Sequence, residues 1–322
     1  FLSQDYPNLE IILIDDHSSR DDDFDYKLIE KRIKIKDRKD SVYKIKVSKH
    51  GPVMNGIIDH LDDERSIAMQ WIYTKGKNQI LDVAYEISHA NNLSEFKKGA
   101  SKLHAPGLNM MYGDAENNIA WFASGKLYTY RDSLYTKTYL DGASGKDEIL
   151  GYLDFEENPQ AVNPRWNYVY SANNQPDSVA GMLYPGYYLN EDRGKRIVNL
   201  LESKNDWTKE DVAKMMFDVT SPNAPIIIAD FIKSINQRDL SVSEKKAIYF
   251  LKNWKGNFEI EEVGPVIYNR MVYEFQKNTF ADEMGKSYSQ FANTPFIEKI
   301  LPVQAKRVNS VWWDNIMTKD KI

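Results

Sequence analysis

The stretch ENPQAVNPRWNYVYSANNQP, residues 157–176, decides most of what can be read from this chain. Its run of aromatic and β-branched residues predicts a strand over 167–172, and Asn-Asn-Gln-Pro after it is turn chemistry. Asn173 therefore either closes that strand as a local turn or presents its carboxamide to a site. Upstream, MMYGDAENNIAWFASG (110–125) predicts a hairpin with Asp114–Asn118 as its polar turn.

Further towards the start, apolar and charged residues alternate with period two through Ile33 and Ile35, then Val42, Ile45 and Val47. That pattern predicts a second hairpin turning at Asp37–Asp40. RSIAMQWIYT (65–74) predicts another strand, and the helical spacing of LDVAYEISHANNLSEFKKGASKL predicts short helices over 80–103, with a start signal at Ser94–Lys97. From about 190 the texture becomes helical. EDRGKRIVNLLES, TKEDVAKMMFD, IIADFIKSI and SVSEKKAIYFLKNW follow one another, with Thr208 and Ser241 or Ser243 placed as N-caps. Strands first and helices afterwards, without βαβ alternation, predict an α+β fold rather than a doubly wound sheet.

Composition narrows the chemistry. With 322 residues and 42% hydrophobic content the chain buries a sizeable core, and a net charge of −5 points to neither a nucleic-acid footprint nor a basic membrane anchor. No cysteine is present, which excludes thiol nucleophiles and thiolate metal sites within these residues. No apolar run approaches the roughly 20 residues that span a bilayer. Among the histidines, His50 in KHGPV reads as a hydrogen-bonded structural residue at a strand end, and His17, His60, His89 and His104 show no metal-ligand spacing.

Four ordered stretches resemble the penicillin acylase (penicillin amidase) family of N-terminal-nucleophile hydrolases. They are IKIKDRKDSVYKIKVSKHGPVM, NMMYGDAENNIAWFASGKLYTYR, ENPQAVNPRWNYVYSANNQP and YYLNEDRGKRIVNLL, and VWWDNIMTKD near the end resembles a further family segment. Asn117 stands where the family has Gly, and Thr129 where it has Pro. The resemblance runs from about Phe24 to the end. It implies a partial αββα sandwich with a strand-rich core over 23–200 and a helical region over 201–322.

It also implies acyl-amide hydrolysis of β-lactams or acyl-homoserine lactones. The nucleophile is an N-terminal Ser whose α-amine serves as base, so no catalytic cofactor is required. By the same resemblance Asn173 holds the oxyanion-hole position and Arg193 is the arginine that orients the site. Read without the family, Asn173 is a turn residue and Arg193 a helix-surface residue paired with Glu191 or Asp192, with Arg196 as the runner-up arginine. Tyr187, Tyr188, Trp312 and Trp313 either line an acyl pocket or belong to the core.

Family members are cut from one precursor into a small and a large chain and are commonly exported to the periplasm. On that basis the partners are an acyl-amide substrate, the small chain and the rest of the large chain. The nucleophile and the ligands of a structural calcium lie upstream of Phe24, and the 322 residues alone are expected to be inactive.

The opening QDYPNLEIILIDDHSS is instead similar to the first acidic strand of family 2 glycosyltransferases, with His17 in a Gly place. Residues 1–22 are thus expected to be foreign to the rest, through a fusion or misjoining. Asp15 and Asp16 could hold a divalent cation at the strand end or simply be solvated, and Asp21–Asp25 reads as an acidic turn. Two other readings remain: a nucleotide-sugar glycosyltransferase, and a non-catalytic binding module on the acylase scaffold.

Overall fold

The structure, a computed structural model, describes residues 11–15, 26–58, 61, 65–131, 138–176, 184–186, 188–235, 239–294, 296–307, 309–313 and 316; for 11–15 and 296–298 only the backbone is described. In chain order the strands are β1 (Ile11–Asp15), β2 (Lys27–Ile33), β3 (Ser41–Val47), β4 (Ile67–Trp71), β5 (Leu108–Gly113), β6 (Ile119–Ser124), β7 (Tyr128–Thr129), β8 (Leu140–Asp141), β9 (Gly151–Tyr152) and β10 (Gln160–Val162). The helices are α1 (Ile80–His89), α2 (Leu93–Ser101), α3 (Asp192–Leu201), α4 (Lys209–Met215), α5 (Ala224–Ser234), α6 (Val242–Asn253), α7 (Gly264–Met284), α8 (Tyr288–Ala292) and α9 (Phe296–Gln304). Contacts divide the chain into two compact units. One holds Tyr6–Val169 and Gln175–Tyr188; the other holds Phe1–Asp5, Tyr170–Asn174 and Leu189–Ile322.

The strand-rich unit is organised by the hairpin β5–β6, whose register runs from Leu108↔Ser124 to Gly113↔Ile119. Asp114 makes the turn. Its Oδ1 accepts the N–H groups of Glu116 and Asn118, and its Oδ2 accepts the Tyr112 hydroxyl and the Asn118 amide. Asn117 adopts φ 67°, the left-handed conformation that a Gly would take most readily and that Asn tolerates better than other side chains. β10 adds to the far edge of β6. Against this sheet pack α1 and α2, burying Val83, Ala100, Leu103, Met110, Ala120, Phe122 and Phe155. Each such large apolar side chain contributes roughly 1.5–3 kcal/mol by leaving water.

Three local expectations change. The short helices anticipated within 80–103 are α1 and α2, but the second starts ahead of the Ser94 signal, because Asn92 leaves the helical conformation and its side chain accepts the N–H of Glu95. The strand anticipated at 167–172 is absent. Asn163, Asn167 and Asn173 have φ of 45°, 62° and 59°, and a backbone that repeatedly enters the left-handed region cannot sustain a ladder. Thirdly, the segment RSIAMQWIYT ends as a strand at Trp71 and continues as a 3₁₀ turn over Ile72–Thr74.

The strand of the opening segment is paired into this unit. β1 lies between β4, antiparallel from Ile11↔Trp71 to Asp15↔Ile67, and β8, parallel through Ile14↔Leu140 and Asp15↔Asp141. A glycosyltransferase reading needs this strand at the centre of a parallel sheet, and an antiparallel β4 over its whole length contradicts that. Asp16, His17 and Asp21–Asp25 lie outside the described residues, as does the Asp15 side chain.

In the helical unit Thr208 and Ser241 cap α4 and α6, each completing a reciprocal capping box with Asp211 and Glu244. Ser243 lies inside α6. Ala224, Ile227, Ile228, Leu251, Trp254, Tyr268 and Leu301 form the core between α5, α6, α7 and α9. Trp312 and Trp313 are half-buried and pack edge-on against Phe280 and Phe275 of α7. No described helix is long and apolar enough to cross a membrane.

Candidate active site: the Asn173–Arg193 corner

The site lies within the helical unit, where the irregular segment 170–174 meets the first turn of α3. Two features bring them together. The N–H of Leu189 donates to the carbonyl of Asn173 at 2.7 Å, fastening the chain just ahead of the helix to the segment. Gly194 then lets the helix lie close, since a Cβ there would stand 3.1 Å from Asn174 Oδ1 and 3.4 Å from a ring carbon of Tyr170. A glycine within a helix weakens it by up to about 1 kcal/mol, so its presence marks a close approach.

Arg193, in that first turn, reaches across. One guanidinium nitrogen, Nη2, donates to the carbonyl of Ala172 at 2.8 Å and to Oδ1 of Asn173 at 2.8 Å. Because Arg is a donor only, it selects the oxygen of the carboxamide and turns the NH₂ group away from itself. Asn173 is half-buried and Ala172 is buried, while Arg193 is exposed overall. The two residues singled out in the sequence are therefore in direct contact.

The anticipated ion pairs of Arg193 are not formed. Glu191 pairs with Lys195 at 3.1 Å, and Asp192 Oδ1 accepts the Ser221 hydroxyl and the Asn223 N–H. Among the described residues no carboxylate lies within ion-pair distance of Arg193, so its charge is not neutralised locally and can act on a negative charge arising nearby. Arg196, the runner-up, turns to Asp218 instead and joins it by two hydrogen bonds, Nε to Oδ1 at 2.8 Å and Nη2 to Oδ2 at 2.5 Å. This fork holds the Asp218 carboxyl below its ordinary value, with partial burial opposing, and raises that of Arg196.

Elsewhere the described histidines are structural or exposed. His50 is buried, with Nε2 3.0 Å and 3.1 Å from the two oxygens of Glu148, which Lys49 also contacts. Burial pushes the Glu148 carboxyl up, but the hydrogen bonds from Lys49 and His50 outweigh it and leave the value lowered. His104 is buried against the carbonyl of Ile72, His89 is exposed on α1, and His17 and His60 lie outside the described residues. Tyr188 is buried and Tyr187 lies outside the described residues. Among the described residues no group of three or more His, Asp or Glu is arranged to hold a metal ion.

Comparison with known proteins identifies the family of the chain. The sequence profile of the penicillin amidase family matches residues 12–322. The chain belongs to that family. An acyl-homoserine lactone acylase QuiP of Pseudomonas syringae pv. tomato is 24% identical over 297 residues, covering 85% of this chain and 35% of the relative. Penicillin G acylase of Escherichia coli is 33% identical over 117 residues, which are 36% of this chain and 14% of the relative. Thermostable penicillin G acylase from Alcaligenes faecalis superposes with a TM-score of 0.68 at 19% identity, over 87% of this chain and 53% of the other. That likeness shows the N-terminal-nucleophile hydrolase fold. The chain spans about a third of the length of the first relatives it matches. The family profile starts within β1, so Ile12–Asp15 falls inside the family match.

Sequence reasoning named Asn173 and Arg193 as candidates but not the groups that hold them together. Ala172 and Leu189 act here through backbone atoms, and Asp192 and Asp218 through side-chain hydrogen bonds to residues distant in sequence, which no motif announces. Gly194 carried the one available signal, a glycine early in an amphipathic helix.

Proposed function

We propose that the protein containing this chain hydrolyses the amide bond of an acylated small molecule, and that the Asn173–Arg193 corner is where its oxyanion is stabilised. In that reaction a hydroxyl oxygen bonds to the amide carbon while its proton passes to a base, and the carbonyl electrons move onto oxygen. The C–N bond then breaks as the amine leaves with a proton, and water hydrolyses the ester that remains. The negative oxygen needs prepositioned donors, and losing one donor costs about 10²- to 10³-fold in rate. A carboxamide supplies such a donor without a charge of its own.

The observation that carries this reading is the 2.8 Å contact from Arg193 Nη2 to Asn173 Oδ1. It fixes which end of the amide is the donor end, and among the described residues no carboxylate pairs with the guanidinium beside it. The reading takes the nucleophile, an N-terminal Ser with its own α-amine as base, from another part of the same precursor. The relatives matched over most of the chain are named as acyl-homoserine lactone acylases, so N-acyl-homoserine lactones come first as substrates and penicillin-type β-lactams second. Membership of the family favours a periplasmic or extracellular location.

The test uses the full-length protein and follows amine release from both substrate classes. Turnover by the parent and a fall of about 10²- to 10³-fold in kcat for Asn173→Ala are expected. Turnover unchanged in Asn173→Ala would overturn the assignment, and binding without turnover by the parent would make the protein a non-catalytic binding module.

A further inference from the structure

Resting on that reading, we infer that Asp218 is a positioning residue for the reaction: through Arg196 it sets the rotation of α3 and thereby the place where the Arg193 guanidinium meets Asn173. Arg193 and Arg196 stand on α3 one turn apart. Any roll of the helix about its axis moves both guanidinium groups together. The Arg196–Asp218 fork resists that roll, since two parallel N–H···O bonds fix an orientation as well as a distance.

A second tether acts at the start of the same helix. Asp192 Oδ1 accepts the Ser221 hydroxyl at 3.0 Å and the Asn223 N–H at 3.1 Å. Both tethers end in one short linker, 218–223, between α4 and α5. The linker is itself held firmly. Asp218 Oδ1 accepts the N–H of Thr220, Ser221 donates its N–H to Gly256 at 2.8 Å, and Phe258 donates to Val219 at 3.1 Å. Gly256, at φ 90°, is required there, because a Cβ would stand 2.2 Å from the Ser221 carbonyl oxygen. Ala224, directly after the linker, is wholly buried in the helical core. A rigid path thus runs from that core through the linker to α3, and from α3 to the carboxamide. The helices after residue 200 serve the site by holding Arg193 still.

The path makes the effect of Asp218 on rate separable from an effect on folding. In the full-length protein, Asp218→Asn keeps the side-chain shape but removes the charge and one acceptor of the fork. We expect kcat per active site, counted by stoichiometric inactivation with a sulfonyl fluoride, to fall about tenfold with KM within twofold. Arg196→Lys, which keeps the charge but loses the fork, is expected to fall about threefold. Hydrogen exchange gives a readout independent of turnover. The Leu189 amide, which depends on α3 staying in place, is expected to exchange at least about tenfold faster in Asp218→Asn, while amides of α6 and α7 are unchanged.

An unchanged Leu189 amide, or kcat per active site within twofold of the parent in both variants, would overturn the inference. Should Asp218→Asn not fold, Arg196→Lys is read by the same two criteria. The proposed function fails on a different result, full turnover in Asn173→Ala. A collapse of turnover in Asn173→Ala with no change in either fork variant leaves that function standing and removes the positioning role alone.

Discussion

Two polar corners of this molecule have similar ingredients and opposite uses. In the strand-rich unit, His50 and Lys49 both meet Glu148, and the acidic and basic groups neutralise one another next to a buried ring. In the helical unit, Arg193 meets a backbone carbonyl and a neutral carboxamide. The first arrangement uses its charge internally and is a stability device. The second uses hydrogen-bonding capacity to orient an amide while keeping a positive charge in hand. A cation paired with a carboxylate cannot lend much field to a reacting oxygen, whereas one held by neutral acceptors can.

The sharpest way to break this comparison is Asn173→Asp in the full-length protein. An aspartate keeps the contact with Arg193 but replaces the NH₂ with oxygen and neutralises the guanidinium. It thereby turns the second corner into a copy of the first. A loss of at least about 10³-fold in kcat is expected, with thermal stability equal to or above that of the parent. If the variant turned over at even a tenth of the parental rate, the carboxamide would not be the oxyanion donor.

The reverse experiment probes the structural corner. His50→Ala removes a buried ring and leaves Glu148 with Lys49 alone, so a loss of about 2 kcal/mol in unfolding free energy is expected. Rate per active site should stay within twofold. Denaturant unfolding together with active-site titration separates the two quantities, and a large fall in rate per site would give His50 a chemical role that its burial does not suggest.

What could be read from the sequence follows from the range of the interactions involved. The turn at Asp114, the hairpin β2–β3 and the caps Thr208 and Ser241 are set by residues within a few positions of each other, and each matches its pattern. Asn92 shows how a local rule can mislead, for Ser94 has the right chemistry for a cap but Asn92 reaches the N–H of Glu95 first. The anticipated strand at 167–172 fails for a different reason. Alternating aromatics mark a surface fit for a sheet, but three asparagines in the left-handed region turn the backbone before a partner strand can pair. The proximity of Asn173 and Arg193 depends on the Leu189 hydrogen bond and on the space left by Gly194, neither of which has a pattern to recognise. For that reason only the family resemblance brought the two residues together, while the partners of Arg196 and Asp192 stayed hidden.

The fork between Arg196 and Asp218 sits between the two corners in character, being a charge pair that serves a site. Its pH dependence sharpens the distinction. Asp218 has a folded value below its ordinary one, chiefly through the hydrogen bond from Arg196. A group so depressed contributes stability that is fully present above its unfolded pKa, near 3.9, and is lost as pH falls through the folded value. Asp218→Asn is therefore expected to be less stable by about 1 kcal/mol at pH 7, with the difference closing below about pH 4. Unfolding measured across that range checks it. A difference that stayed constant with pH would show that shape rather than charge holds the fork.

The smallest expected effect lies at the hairpin tip and tests why a residue other than glycine stands there. Asn117 holds φ 67° in the turn between β5 and β6. With no Cβ, Gly occupies this region freely but loses more freedom on folding, and the two tendencies nearly cancel, so Asn117→Gly should change stability by less than about 0.5 kcal/mol. Ala has the Cβ without the local hydrogen bonding that lets Asn tolerate the left-handed region, so Asn117→Ala should cost about 1 kcal/mol. The order Gly close to Asn, with Ala below both, would show that backbone conformation governs the position. Were Gly to fall as far as Ala, the Asn117 side chain itself would be holding the turn, and the hairpin would resemble the two corners in depending on a particular polar group.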